Sequence, residues 1–199
     1  TDLAFRIAAQ FGLPVVPCVP ALVPLTFGEA DAAWLTDLSG VAFEAAAACG
    51  KARFEESVLI THRGLSGPAI LQVSSYWDAG QAVTLDLFPG RDAEALFLEA
   101  KRSAPARAPK AFLADRMPQR LAQRMTHRHR WTRPLGETPD GDLRKFAAAM
   151  TRWSLVPAGT EGYKKAEVTR GGVDTRAFSP KTMEAKDVPG LYVIGEALD

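Results

Sequence analysis

Two spacings of apolar residues alternate along this chain, and together they lay out its elements. In DLAFRIAAQF, Leu3, Ile7 and Phe11 recur every fourth residue, the spacing of one helical face, with Asp2 as a cap and Gly12 as a left-handed stop. Residues 14–24 (PVVPCVPALVP) are apolar but hold four prolines, which excludes a central strand and leaves an extended edge or crossing segment. One helical turn is expected around Trp34. Val41, Phe43 and Ala45 alternate with Ala42 and Glu44 as in a half-buried strand, and Val58, Leu59 and Ile60 form a short apolar run. Ser66-Gly67-Pro68 reads as a helix start capped by Ser66, with the helix over residues 69–77. Val83, Leu85 and Leu87 then face one way and Thr84 and Asp86 the other, the clearest strand of the chain.

From 91 to 150 the period is helical. Asp92 caps AEALFLEAKR, and Leu113, Met117, Leu121 and Met125 recur at i+4 with Pro118 dividing them into two helices. Gly141-Asp142 opens a third run carrying Leu143, Phe146 and Met150. Strand character returns in SLVP, AEVT and LYVIG. Strands, then helices, then strands describe an α+β chain in which a helical subdomain interrupts a β-rich domain.

Composition narrows this picture. With 199 residues, 47% hydrophobic and 24% charged, the chain can form one or two compact domains and is neither disordered, collagen-like nor a disulfide scaffold. No apolar run approaches the roughly 20 residues that cross a bilayer. The chain opens inside a helical pattern and stops just after a strand pattern, so it reads as a piece of a longer protein. Cys18 and Cys49, far apart and flanked by apolar residues, are expected to be buried free thiols in a reducing, cytoplasmic setting. The net charge of +1 conceals an asymmetry: residues 101–133 carry ten basic and one acidic side chain, against five and twelve in the first hundred.

Several segments could carry chemistry. Val188-Pro189-Gly190 leads into Leu191–Ile194, a four-residue buried strand, and then Gly195-Glu196; a glycine and carboxylate beyond a strand end suit a hydroxyl-bearing ligand. Gly171-Gly172 after AEVTR allows a tight turn or close contact with a flat ligand, and a plain hairpin explains it equally well. His62 and Arg63 precede a Gly64-Leu65-Ser66-Gly67 turn, where they could donate a proton and attract an anion; a backbone-bonded His and a solvated Arg is the structural alternative. That turn lacks the spacing of a nucleophile elbow. His127 and His129 have no carboxylate or thiolate nearby, so no metal site is expected. Arg116, Arg120 and Arg124 at i+4 spacing make a basic helical face, extended by Arg128, Arg130 and Arg133. It suits a nucleic acid, or a solvated face balancing the acidic first hundred residues.

The run AEVTRGGVDTRAFSPKTMEAKDVPGLYVIGEALD, with PALVPL at 20–25, LSGV at 38–41 and ITHRGLSGPAILQVSSYW at 60–77, resembles a family of bacterial NAD(P)/FAD-dependent oxidoreductases that includes bile-acid reductases and aminoacetone oxidases. The resemblance implies an FAD-binding α/β domain split by a β-barrel-like insert that itself carries a helical subdomain. It divides the chain into 1–16 (flank of the FAD domain), 17–90 and 151–168 (barrel), 91–150 (helical subdomain) and 169–199 (return to the FAD domain). It implies that Gly195 and Glu196, with Asp199 close by, meet the ribityl and pyrophosphate end of FAD, and that Gly171 and Gly172 lie near the isoalloxazine. The family's GxGxxG turn is not in this sequence, nor is the segment that follows GEALD, so this chain alone is expected to hold FAD weakly or not at all and to be inactive. The expected function is the roof over the flavin and the wall of the substrate pocket in an enzyme moving hydride from NAD(P)H through FAD to a small organic substrate. Its partner is the remainder of its own FAD domain, with no membrane and no nucleic acid. The alternative is a nucleic-acid-binding module using the Arg-rich block 116–133.

Overall fold

The computed structural model describes residues 3–199; Asp2, the expected cap of the first helix, lies outside the described residues. Seven strands form one antiparallel sheet: β2 (Leu25–Thr26), β3 (Ala42–Cys49), β4 (Ala52–Ile60), β5 (Gly64–Ser66), β6 (Val83–Asp86), β7 (Trp153–Leu155) and β8 (Gly159–Thr160), in the spatial order β7-β6-β3-β4-β5-β2-β8. Gly50, at φ 57°, closes the long β3–β4 hairpin, where Cys49 pairs with Ala52. The order forces the sheet to curl. Laid flat, six inter-strand gaps would separate the edges by about 29 Å. Yet the edge strands end and begin at Leu155 and Gly159, four residues apart, a reach of at most about 14 Å. The sheet therefore wraps into a barrel, as expected for the α+β class.

Between β6 and β7 the chain leaves the barrel through α4 (Ala93–Ser103), α5 (Pro109–Ala114), α6 (Gln119–Arg128) and α7 (Asp140–Thr151). Asp92 caps α4 as expected, its Oδ1 accepting from Ala95 N at 2.9 Å. Pro118 separates α5 from α6. The excursion is fastened to the barrel by one continuous core. Phe97 sits at its centre with Phe88, Phe112 and Trp131 at ring-centroid distances of 5.5, 5.0 and 5.5 Å, and Trp131 stacks on Phe146 at 4.8 Å. Because Phe88 ends the barrel and Phe112 lies on α5, the same aromatic cluster serves both parts. Lys101 Nζ adds a polar pin, donating to Thr138 O at 2.9 Å and to Asp140 Oδ1 at 2.7 Å, and so ties α4 to the start of α7.

A second pairing carries the barrel. β1 (Val19–Ala21) runs antiparallel to β9 (Val168–Arg170), and the match continues in both directions. Toward the barrel, Glu167 N donates to Leu22 O and Glu161 N to Pro24 O, before β2 meets β8. Away from it, Val16 N donates to Gly172 O at 2.7 Å and Asp174 N to Pro14 O at 2.9 Å. Residues 14–26 and 159–174 thus form a two-stranded neck, interrupted by the turn at 162–166. Beyond it, α1 (Leu3–Gln10) and the segment 173–198 gather around a small cluster of Ala8, Leu13, Val173, Phe178 and Ala185.

Three local expectations are corrected. The helix after the β4–β5 hairpin, α3 (Pro68–Ser74), is not capped by Ser66, which ends β5 paired with Leu59. Gly67 holds the cap position at φ 90°, where a Cβ would lie 2.7 Å from Ser57 O. Residues 191–194 are not a buried strand: Tyr192 makes only a single bridge, to Glu184, and Ile194 is 74% exposed because no strand pairs with it. The stripe Leu3, Ile7, Phe11 is also exposed, and α1 buries Ala8 instead.

Removing the ring at the centre of the shared core tests this arrangement. Phe97→Ala should cost about 3–5 kcal/mol in urea denaturation, with barrel and helical signals lost in one transition. Two separated transitions in the unmutated chain would contradict a single core.

Candidate functional site

The neck brings together residues that the sequence left about 25 positions apart. Val173 N donates to Ala197 O at 2.8 Å, Asp199 N donates to Val173 O at 3.1 Å, and Val173 bridges Leu198 in parallel. Gly172 therefore lies directly beside residues 197–199, and Gly171 against Pro17 on the other strand of the neck. Their glycine character has a local cause. A Cβ on Gly171, at φ 87°, would lie 2.3 Å from Pro17 O, and one on Gly172 would lie 2.6 Å from Ala197 O. The pair admits the chain's own backbone at close range. Gly195 differs: it has φ 76° and open space where its side chain would be. Glu196 and Asp199 beside it are exposed.

Asp174 anchors this junction. Its carboxylate is almost fully buried and accepts from Arg176 Nε at 2.9 Å on both oxygens, from Arg176 Nη2 at 2.5 Å and from Arg176 N at 2.9 Å. These donors, the Arg176 side chain foremost, hold its pKa down from 3.8 to about 2. Nothing in the sequence singled out Asp174, because its partner is only two residues away in an ordinary-looking DTR.

His62 and Arg63 occupy the β4–β5 turn. Thr61 Oγ1 accepts from Arg63 N at 3.2 Å and from Gly64 N at 3.0 Å, and Arg63 O accepts from Phe27 N at 2.9 Å. Gly64 is required there, since its Cβ would fall 1.9 Å from Leu25 O. Both side chains are exposed, and Arg63 reaches Glu161 at 3.8 Å. No hydrogen bond or strand pairing links this turn to the glycine cluster, which lies at the other end of the neck.

The basic block is not the free face that its spacing suggests. Arg120 donates to the carbonyls of Asp37 and Ser39, Arg124 to Asp37 Oδ2 at 2.9 Å, and the Arg128 guanidinium lies 4.2 Å from the centre of the Trp34 ring. The stripe on α6 therefore clasps the corner formed by α2 (Glu29–Leu35) and the turn after it. Arg116 turns back onto Phe112, over its ring and into its carbonyl at 2.6 Å. Sequence spacing found the stripe but not its partner, which lies more than 80 residues away. His129 packs against Phe146, and burial, aided by Arg128, pushes its pKa down, so it adds no charge at neutral pH.

α6 ends in a full Schellman turn: Trp131 N donates to Thr126 O at 2.9 Å and Arg130 N to His127 O at 3.1 Å. The left-handed position is filled by Arg130, at φ 51°, where glycine is usual and a side chain costs roughly 1–2 kcal/mol. Beside this turn a cleft of about 540 Å³ opens between Asp37 and α6, lined by Gln123, Arg124, His127 and Thr132. Among the described residues no group of three or more His, Cys, Asp or Glu is placed to hold a metal, and no helix is long and apolar enough to cross a membrane.

A curled antiparallel barrel, a helical excursion and a paired two-strand neck define the class of this domain. The chain belongs to the family described as the HI0933-like protein barrel and H2TH domain, which it matches over residues 19–168. Those limits fall within the paired strands of the neck, β1 and β9. Over 208 residues it is 42% identical to the ribosomal RNA dihydrouridine synthase of Escherichia coli, covering all of this chain and 50% of that protein. It is 41% identical over 209 residues to the Haemophilus influenzae protein of the same name, with the same coverage. It is 28% identical over 211 residues to the 3-dehydro-bile acid delta(4,6)-reductase of Clostridium scindens, covering 98% of this chain and 51% of that protein. The chain spans about half the length of the curated relatives it matches.

Two outcomes follow for the neck. Gly171→Ala should cost about 2–4 kcal/mol through strain and overlap with Pro17, whereas Gly195→Ala should cost only the roughly 1–2 kcal/mol of a left-handed side chain. Equal urea midpoints for the two would contradict the geometry. Asp174 is depressed in the folded state, so its contribution is present above the unfolded pKa and is lost as pH falls from about 4 to about 2. Asp174→Asn should flatten the melting-temperature profile in that window, and an unchanged acid limb would contradict the ion pair's role.

Proposed function

We propose that this chain is the substrate-facing part of a flavin-dependent oxidoreductase that reduces a pyrimidine base in RNA. The observation that carries this reading is identity above 40% along the whole chain with two relatives named for making dihydrouridine in ribosomal RNA. The more distant bile-acid reductase supports the chemistry. Dihydrouridine is uridine with a hydrogen added at each of C5 and C6, across a double bond conjugated to the C4 carbonyl. A 3-dehydro delta(4,6) substrate likewise presents a double bond conjugated to a ketone. The shared reaction is two-electron reduction of an alkene activated by a carbonyl.

A bound FAD would supply the hydride for that reduction, with NAD(P)H as the source of its electrons. The neck residues fit such a group by their chemistry. Gly195 leaves an open approach, and the exposed Glu196 and Asp199 carboxylates can accept from ligand hydroxyls. Gly171 and Gly172 keep the two strands close together beside it. The exposed apolar side chains of α1 and of residues 191–194 form a surface for the rest of the FAD-binding domain to cover. The barrel would help to exclude water from such a group, while the exposed His62 and Arg63, at the other end of the neck from Gly171 and Gly172, would meet substrate away from those glycines. This reading joins the two that the sequence held apart, because the oxidoreductase and the nucleic-acid binder become one enzyme.

The test is the full-length protein incubated with ribosomal RNA and NADPH or NADH. It should purify with a flavin absorbance spectrum and lower the RNA's uridine content in favour of dihydrouridine, read by mass spectrometry of the digested RNA. A colourless protein after reconstitution with FAD, or a flavoprotein that leaves the RNA unchanged while reducing a small enone, would overturn it.

A further inference from the structure

We propose that the turn closing α6, residues 127–133, is the grip for single-stranded RNA, with Arg130 and Arg133 on phosphates and the cleft beside them holding one splayed-out nucleotide. The proposal rests on the RNA reading above and specifies where the RNA docks.

Three observations converge on this turn. The first is an elimination. Of the ten basic residues in 101–133, eight are already engaged with carboxylates, carbonyls, an amide or an aromatic ring of the chain. Of these ten, all within the described residues, Arg130 and Arg133 alone have no such partner, and both are exposed. The unpartnered positive charge of this block therefore projects from one short turn, although the sequence spreads the charge over the whole block. The second is backbone strain. Arg130 takes the left-handed position of a Schellman turn that glycine would fill without penalty, and its side chain makes no hydrogen bond or ion pair inside the described chain. A strained residue with no internal reward points to a partner outside the chain.

The third is the adjoining space. The cleft of about 540 Å³ lies within the roughly 300–1,000 Å³ of pockets that hold ligands of nucleotide size. Gln123, His127 and Thr132 on its walls both donate and accept, as recognition of unstacked base edges and 2′-hydroxyls requires. The one acidic wall residue, Asp37, is already held by Arg124 at 2.9 Å, so the cleft does not repel a phosphate chain. A second, smaller cleft of about 170 Å³ is lined by Arg130 and Arg133 themselves, with Asp142, whose carboxylate is paired with Lys145 at 3.2 Å. Trp131 and Thr132, which stand between the two arginines in sequence, line both clefts and so join the cationic recess to the larger one. A single strand can lay its backbone on the guanidinium groups and turn a base into the adjoining larger recess.

The experiment measures fluorescence anisotropy of a labelled oligouridylate with the full-length flavoprotein, titrated over a range of salt. The variants are Arg130→Gly with Arg133→Ala, and, as a charge control on α4, Arg102→Ala. The double variant should melt no lower than the unmutated protein, since the glycine relieves strain. It should bind roughly tenfold or more weakly, with a log–log salt slope shallower by about 1.4, at about 0.7 per phosphate contact. Reduction of ribosomal RNA should show a raised KM with kcat retained, and Arg102→Ala should change none of these. Unchanged affinity and slope in the double variant, alongside continued uridine reduction, would overturn the docking site and leave the proposed function standing. Polyglutamate competing as well as oligouridylate would overturn it in favour of an acidic protein. An unmutated flavoprotein that neither binds nor reduces RNA would remove the proposed function and this site together.

Discussion

The antiparallel match between residues 14–26 and 159–174 governs everything else in this structure. It is long but thin, with β1 against β9 at its centre, β2 against β8 at the barrel end and Val16 against Gly172 at the other. A two-stranded ribbon is marginal alone, and this one is held at both ends. The barrel buries Leu25 at one end, and at the other Gly171 lets the two strands close on each other while Gly172 admits a third segment, 197–199. Because the chain enters and leaves the barrel side by side, the 130 or so residues between the neck strands form a unit closed at one point. The same device recurs one level down: the helices leave the barrel after β6 and return at β7, the neighbouring strand.

This nesting separates tasks along the molecule. The neck end concentrates glycine, exposed carboxylates and uncovered apolar side chains, which suits a cofactor and a neighbouring domain. The far end concentrates arginine, and there the structure divides the charge into two uses. Most of it is spent internally: Arg120 and Arg124 on the Asp37 corner and Arg128 on Trp34 tie α6 to that corner, and Arg116 closes onto Phe112 within the helical block; surface pairs of this kind contribute about 0–1 kcal/mol each. What remains outward-facing is small and localised at the turn after α6.

Much of the fold was readable from spacing, because its elements obey local rules. The i+4 rows of the helical block, the alternation in 83–87, Asp92 as a cap and Pro118 as a divider each act within a few residues, and each appears where expected. The errors share a cause. Leu3, Ile7 and Phe11, and the run 191–194, carry patterns that demand burial, but burial needs a partner surface that the described chain does not supply. The Ser66-Gly67-Pro68 pattern points to a Ser66 cap, whereas Gly67 takes that position because of its contact with β4. The candidate site was readable as motifs, GGV and GEALD, but not as geometry: that Gly172 meets Ala197 depends on parallel contact between two segments that spacing cannot relate. Gly64 against Leu25 and Asp37 against Arg124 were missed for the same reason.

The most direct measurement of the central claim is amide hydrogen exchange of the full-length protein, compared with and without FAD and with and without RNA. The account predicts that FAD slows exchange at 169–174 and 195–199 and leaves 127–133 unchanged, and that RNA slows exchange at 127–133. Flavin-dependent protection confined to the helical block, with none at the neck, would contradict it.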